Sequence, residues 1–233
     1  MALPQLNNPT HMLELPSTGE EIEYRPFLVK EQKMLMLAQQ SEKTGEINST
    51  VIKLINACTF DKLDAANLPI FDIEYLFCKL RAKSVGETAT INVTCPDDKK
   101  TVVPVEINMD ELDIQMTENH TNKINITDDI AVIMRYPTLT NSNLSEKDTD
   151  TDNMLKMINQ SVEEIHDGTT INKRVDFTGK ELETFLDSMN TQQLAKMVDF
   201  FATMPKIRKV VEVENPKTKV KSDVILEGLN SFL

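Results

Sequence analysis

Apolar and polar residues alternate with a period of two in several stretches of the chain, and this alternation predicts β-hairpins. The clearest stretch runs from Ala89 to Met109 and is interrupted at Cys95-Pro96, where we expect the chain to turn. Ser17-Thr18-Gly19 marks a similar turn near the start of the chain. The predicted strand pairs lie in residues 12–29, 89–109, 124–136, and 206–213 with 219–226.

In other stretches the apolar residues recur every three or four positions, which predicts amphipathic helices. Pro69 suits the first turn of one helix, and Thr178 with Glu181 forms a capping-box pattern at the start of another. The predicted helices cover residues 30–43, 50–58, 69–83, 152–166, 178–189 and 194–201. Helices and strands come in blocks and do not alternate strictly, so the sequence predicts an α+β fold.

The helix at 69–83 is apolar around most of its circumference. Phe71, Tyr75, Phe77 and Leu80 point in directions too spread for one core-facing stripe. Such a helix is either buried on more than one side or docked against a partner protein, which makes these four residues candidate partner contacts. We favour a central position in the fold, because the following hairpin can cover the second face.

The region at 138–153 is rich in Asn, Ser and Asp and has little to bury, so it predicts an exposed acidic connection. We treat residues 1–233 as one unit and hypothesise two lobes within it, 1–137 and 145–233. Asp148, Asp150 and Asp152 resemble the start of a calcium loop, but the glycine and glutamate that complete such a loop are missing. An acidic lead-in to the next helix is the better interpretation.

Composition excludes several functional classes. The 233-residue chain carries 37 acidic against 25 basic residues, a net charge of −12 that argues against nucleic-acid binding. It has only 6 glycines, widely spaced, so dinucleotide, Walker and nucleophile-elbow motifs are absent. No apolar run approaches the roughly 20 residues that span a bilayer. The first basic residue is Arg25, and no signal peptide is evident, so we expect a cytosolic protein without membrane contact.

Candidate chemistry is sparse. His11, His120 and His166 have no second histidine or cysteine at metal-ligand spacing. Cys58 and Cys78 fall on apolar helix faces, where a small buried side chain is the usual role. We therefore predict no catalytic, metal-binding or cofactor-binding residues and no small-molecule substrate. A hydrolase that uses cysteine or histidine remains an alternative, because catalytic partners need only be neighbours in space.

Cys95 begins a hairpin turn that resembles half of a zinc ribbon. Asp98 occupies the position of the second thiolate, and the matching turn at 213–217 has no cysteine. Because structural zinc needs four good ligands, we expect two knuckle-like hairpins that persist without metal.

The segment 206–221 reverses the charge of the acidic chain. Lys206, Arg208 and Lys209 are the candidate contacts of a docking edge for an acidic partner, although we favour the simpler interpretation of an exposed hairpin face guarded by lysines. A degenerate zinc-ribbon-like module that binds metal or nucleic acid is the alternative function that this segment and Cys95 leave open.

Four segments carry a family resemblance. They are 68–77 (LPIFDIEYLF), 80–87 (LRAKSVGE), 103–107 (VPVEI) after the Cys-Pro turn, and 226–233 (LEGLNSFL). Together they resemble the baseplate hub subunits of T4-like contractile-tailed bacteriophages, over almost the whole chain. Many relatives carry Cys-x-x-Cys pairs in the two hairpin turns, of which this sequence keeps only Cys95.

The resemblance implies a non-enzymatic tail protein that helps to assemble the central hub of the baseplate. Its implied partners are other phage hub and tail proteins, in the host cytoplasm during assembly. The resemblance leaves two alternatives, a protein that stays in the virion and one that acts only as an assembly factor. No catalytic residues come with the family.

Overall fold

The computed structural model describes residues 6–41, 43–141 and 149–233 and confirms the α+β fold. The helices are α1 (Val29–Gln40), α2 (Thr44–Cys58), α3 (Ile70–Val85), α4 (Asp150–Ser161), α5 (Gly179–Asp187) and α6 (Thr191–Thr203). The strands are β1 (His11–Glu14), β2 (Glu21–Tyr24), β3 (Thr88–Thr94), β4 (Val102–Asn108), β5 (Ile114–Gln115), β6 (Lys123–Asn125), β7 (Ile130–Met134), β8 (Val162–Asp167), β9 (Thr170–Lys173), β10 (Lys206–Glu214) and β11 (Lys221–Glu227). Short 3₁₀ turns lie at Ala65–Asn67, Arg174–Asp176 and Leu229–Ser231.

The chain divides into two compact units, which differ from the lobes hypothesised at 1–137 and 145–233. Unit 1 consists of Met1–Gln115 and Lys206–Leu233, and unit 2 consists of Met116–Pro205. The C-terminal hairpin belongs to unit 1 because β10 pairs with β5 and packs against α3 and β4. Residues 142–148 of the predicted acidic connection, and with them Asp148, lie outside the described residues.

Unit 1 is built around α3. Three antiparallel assemblies belong to this unit: β1 with β2, β3 with β4, and the sheet of order β11-β10-β5. One buried cluster joins α3 to both longer hairpins; its members include Cys78, Ala82, Val93, Ile107, Ile207, Val211 and Phe232. Phe71, Ile73, Leu76, Phe77 and Leu80 are also buried, so α3 is covered on more than one side, as the sequence predicts.

Unit 2 is an antiparallel sheet of order β6-β7-β8-β9 with three helices. Its core contains side chains from the sheet and from α4, α5 and α6, among them Val132, Met134, Ile158, Leu182, Met197 and Phe200. The helices begin with side-chain caps at Thr149, Thr178 and Asn190, and the predicted capping box between Thr178 and Glu181 is confirmed.

Several predicted boundaries were wrong. The helix expected at 152–166 ends at Ser161, because Val162–Asp167 pairs with β7 on one side and β9 on the other. The second helix begins at Thr44 rather than near residue 50, which places Gly45 inside its first turn. The short strands β5 and β9 were not predicted, since each offers too few residues for a period of two to be visible.

The position of Phe77 makes a direct test of this fold possible. Its side chain is fully buried in α3, whereas Phe60 is 42% exposed. Replacing a buried phenylalanine with alanine removes its contacts and leaves a cavity, so Phe77→Ala should lower the free energy of unfolding by about 3–5 kcal/mol. We expect urea denaturation to show this loss, or no folded protein at all.

Phe60→Ala is the matched control and should cost about 1 kcal/mol or less. Equal losses in the two variants would contradict the central position of α3.

Candidate partner-contact surface

The four apolar candidates on α3 lie in the core of unit 1. Phe77 and Leu80 are fully buried and Phe71 is 3% exposed. Tyr75 is half-buried and packs against the cluster that contains Cys78 and Ile207. This burial agrees with the central placement favoured from the sequence, and contact of these residues with a partner stays a prediction. A partner could reach Phe71, Phe77 or Leu80 only if this core opened.

Two buried carboxylates on α3 bind backbone groups from distant parts of unit 1. Asp72 accepts hydrogen bonds from the backbone N–H of Ser17, at 3.1 Å, and from the Ser17 hydroxyl. This attaches the turn between β1 and β2 to α3. Burial raises the pKa of Asp72, and the hydrogen bonds from Ser17 oppose that shift.

Glu74 makes the corresponding connection to the C-terminal part of the chain. Its carboxylate lies near the backbone N–H groups of Ile207, in β10, and Leu229, in the last 3₁₀ turn, and both N–H groups act to lower its pKa. Burial, with a smaller contribution from the nearby Glu227 carboxylate, raises the pKa of Glu74 to about 7. Further along α3, the Arg81 guanidinium donates to the backbone oxygen of Phe232, at 2.5 Å. Polar contacts therefore connect the C-terminal tail to α3 at two positions, Glu74 and Arg81.

The three basic candidates on β10 do not form one patch. Lys206 lies 2.9 Å from a Glu227 oxygen, and the Arg208 Nε lies 4.0 Å from the other. Because strand side chains alternate between faces, Lys209 lies on the opposite face from Lys206 and Arg208, and it is exposed.

An apolar pair lies beside these charges on the outward face of the hairpin. Val210 and Ile225 are register partners and are 50% and 49% exposed. We name the surface formed by Lys206, Arg208, Val210, Ile225 and Glu227 the hairpin face. It combines two basic groups, one carboxylate and an exposed apolar pair.

The two knuckle-like turns have the same backbone geometry. In the first, the Cys95 N–H donates to the Thr101 oxygen and its carbonyl accepts from Lys99, at 2.8 and 3.0 Å. In the second, the Asn215 N–H donates to Val220 and its carbonyl accepts from Lys219, at 2.9 and 2.8 Å. Lys99 and Lys219 both adopt positive φ, 54° and 63°.

Hydrogen bonds join these two turns directly. The Asn215 Nδ2 donates to both oxygens of Asp97, each at 3.0 Å, and the Thr218 hydroxyl donates to the same carboxylate. The hydrogen bonds from Asn215 and Thr218 hold the pKa of Asp97 below its usual range. Asp98, at the predicted second ligand position, instead accepts from the backbone and hydroxyl of Thr101.

This arrangement does not favour zinc. Besides Cys95 and Asp98, the ligand positions hold Asn215 and Thr218, which are poor zinc ligands. Within residues 6–41, 43–141 and 149–233, no group of three or more His, Cys, Asp or Glu side chains could hold a metal ion. The basic side chains at 217–221 give no clear nucleic-acid surface either, because Lys219 and Lys221 lie within 4 Å of Glu214 and Glu212.

Cys58, Cys78 and His120 are in environments that fit a structural role. Burial raises the pKa of the Cys58 thiol to about 11 and that of Cys78 to about 12, so both remain protonated and weakly nucleophilic at neutral pH. His120 is hydrogen-bonded to the Thr203 hydroxyl at 3.0 Å and the Tyr136 hydroxyl at 3.1 Å. Among the helices that the structure describes, none has the length and apolarity required to cross a membrane.

In the part of the chain that the structure describes, the polar groups above bind their own chain, and Val210 and Ile225 form an exposed apolar pair. A protein-family model described as T4 bacteriophage base plate protein matches residues 8–233. The chain therefore belongs to this family and is a structural protein of a phage baseplate, located in the virion tail. No curated protein and no solved structure matches it. The predicted resemblance is confirmed at the level of a T4-like baseplate protein.

Glu74 predicts a specific dependence of stability on pH. Its pKa is about 7 in the folded chain and near 4.5 when unperturbed, so between these values the folded chain holds a proton that the unfolded chain releases. The free energy of unfolding should therefore fall as pH rises through this window, by about 3 kcal/mol from this group alone. Glu74→Gln, which keeps the size and one acceptor, should remove that part of the slope.

Urea denaturation at about pH 5 and about pH 8 measures the effect. Glu106→Gln, at an exposed position on β4, is the control and should retain the wild-type slope. An unchanged slope in Glu74→Gln would show that Glu74 does not titrate in this window.

Proposed function

We propose that this protein takes part in assembling the central hub of the baseplate through contacts with other hub and tail proteins, without catalysing a reaction. The family match over residues 8–233 carries the proposal, because it makes the chain a baseplate protein over nearly its full length. The resemblance of segments 68–77 and 226–233 to hub subunits supports the narrower role. Assembly takes place in the host cytoplasm, before the tail is complete.

The hairpin face is the surface that we assign to one of these contacts. Lys206 and Arg208 share one carboxylate, Glu227, so the three groups together keep a positive charge on an acidic chain. The exposed Val210–Ile225 pair supplies apolar area that a partner can bury. Lys209 lies on the other side of β10 and can contact a partner only around the strand edge.

Two exposed valines on β-strands provide a matched pair of variants. Val210 and Val102 are both valines on strands, 50% and 53% exposed, and only Val210 belongs to the hairpin face. Glutamate at either position stays at the surface and should change the free energy of unfolding by about 1 kcal/mol or less. Glutamate at 210 also replaces apolar area with a charge in the centre of the proposed contact, where binding would remove its hydration.

Complementation of a phage with this gene disrupted tests the proposal. Disruption should leave tails or hubs incomplete, as seen by electron microscopy and by mass spectrometry of purified particles. Supplying the wild-type protein or Val102→Glu should restore infectious particles, and Val210→Glu should not, although it folds normally. Normal particles without the gene would overturn the proposed function, and full rescue by Val210→Glu would overturn only the assignment of the hairpin face.

A further inference from the structure

Unit 2 has an open cleft of about 400 Å³ between one face of its sheet and α5. Register places Ile130 opposite Asp167 and Ile165 opposite Asn172, so these four side chains lie on the same face of the sheet. Phe177, directly after the 3₁₀ turn at Arg174–Asp176, and Phe185 of α5 also line the cleft. We name this cleft the acidic groove.

The floor of the acidic groove is apolar and incompletely covered. Ile130, Ile165, Phe177 and Phe185 pack against the core of unit 2 but are only partly buried. Aromatic and aliphatic side chains left at an open cleft offer area whose burial is favourable, and such pockets accept the anchor side chains of protein partners.

The rim of the acidic groove is negative. Asp167, Asp176 and Glu181 line it, from β8, the 3₁₀ turn and the first turn of α5. Asp176 and Glu181 also accept hydrogen bonds from the backbone N–H groups of Lys173 and Thr178, which fixes both carboxylates in place. Acidic residues outnumber basic ones within residues 116–205, so the field around the groove has the same sign.

The basic residue Arg174, two residues before Asp176 in the chain, contacts Phe177 and Asn159. The Arg174 guanidinium stacks on the ring of Phe177, with its central carbon 5.3 Å from the ring centroid, and its Nη2 lies 3.4 Å from the Asn159 oxygen. Arg174 thus packs against Phe177, which lines the groove, and among the described residues it forms no ion pair with the three rim carboxylates.

We propose that the acidic groove binds a segment of another baseplate protein in which an aromatic or aliphatic anchor is flanked by lysine or arginine. The apolar floor fits the anchor, and the rim carboxylates fit the flanking bases, which steer the encounter and fix the register. A polypeptide suits this cleft better than a small molecule because the cleft is open and the chain is an assembly component. The inference rests on the proposed function and specifies one kind of partner.

Photo-crosslinking in infected cells tests this proposal with the full-length protein. Val175 is 89% exposed and adjoins Asp176 in the chain, so the photoreactive residue p-benzoylphenylalanine can replace it without disturbing the core. Sequencing of the crosslinked peptide should reveal an apolar residue between lysines or arginines of another phage protein. An acidic or neutral peptide, a peptide of this chain itself, or no crosslink during normal assembly would overturn the proposal.

Reversal of one charge at the rim of the acidic groove is the second part of the test. Asp167→Lys should reduce the crosslink roughly tenfold, because it replaces attraction at the rim with repulsion. Asp187→Lys, at an exposed position of α5 that does not line the groove, is the matched control and should leave the crosslink unchanged. Exchanging the partner's flanking lysine for glutamate should restore the crosslink to Asp167→Lys, and failure to restore it would reject the charge pairing.

The two proposals fail in different ways. If gene disruption leaves assembly normal, the proposed function is wrong whatever the crosslinks show. If disruption stops assembly but Asp167→Lys crosslinks like the wild type, the hub role stands and the acidic groove is not the contact.

Discussion

The burial of α3 is the constraint on which unit 1 depends. A helix covered on several sides must satisfy every polar group that it carries into the interior, since a buried polar group without a hydrogen-bond partner destabilises the fold. Asp72 meets this requirement by accepting a hydrogen bond from the backbone of Ser17, and the Glu74 carboxylate lies near the backbone N–H groups of Ile207 and Leu229, which favour its charged form. These contacts of α3 join segments that are far apart in sequence. Together with the pairing of β10 with β5, they place the C-terminal hairpin in unit 1.

The sequence was most informative where one pattern dominated. The run around Phe77 is too apolar for a surface helix, and the Thr178–Glu181 capping box marks a helix start; both predictions were confirmed. The pattern failed at 162–166, where apolar residues fit a helical stripe and a strand equally well. Pairing with β7 and β9 decides between them, and such long-range contacts leave no signal in a single sequence. For the same reason, the sequence did not predict that β5 pairs with β10. That pairing places the C-terminal hairpin in unit 1.

Polar side chains were harder to place than apolar ones. Asp97 and Asn215 occupy hairpin turns, where a solvated side chain is the usual expectation, yet they bind each other across the two turns. The similarity of the two turns, Cys-Pro and Asn-Pro each followed by a lysine at the fifth position, was the available signal for this pairing. Of the candidate contacts, only Lys206 and Arg208 came together at an exposed surface. The acidic groove was not foreseen, because its residues come from three strands, a 3₁₀ turn and α5.

Amide hydrogen exchange, resolved to single residues, tests the central claim most directly. If α3 holds the distant segments of unit 1 together, the amides of Ser17, Ile207 and Leu229 should exchange in the same cooperative opening as the amides in the middle of α3. They should also differ in opening free energy from the core strands of unit 2. Exchange of Ile207 and Leu229 at a much lower opening free energy than α3 would show that the C-terminal hairpin and tail are separate from it, and would contradict the account.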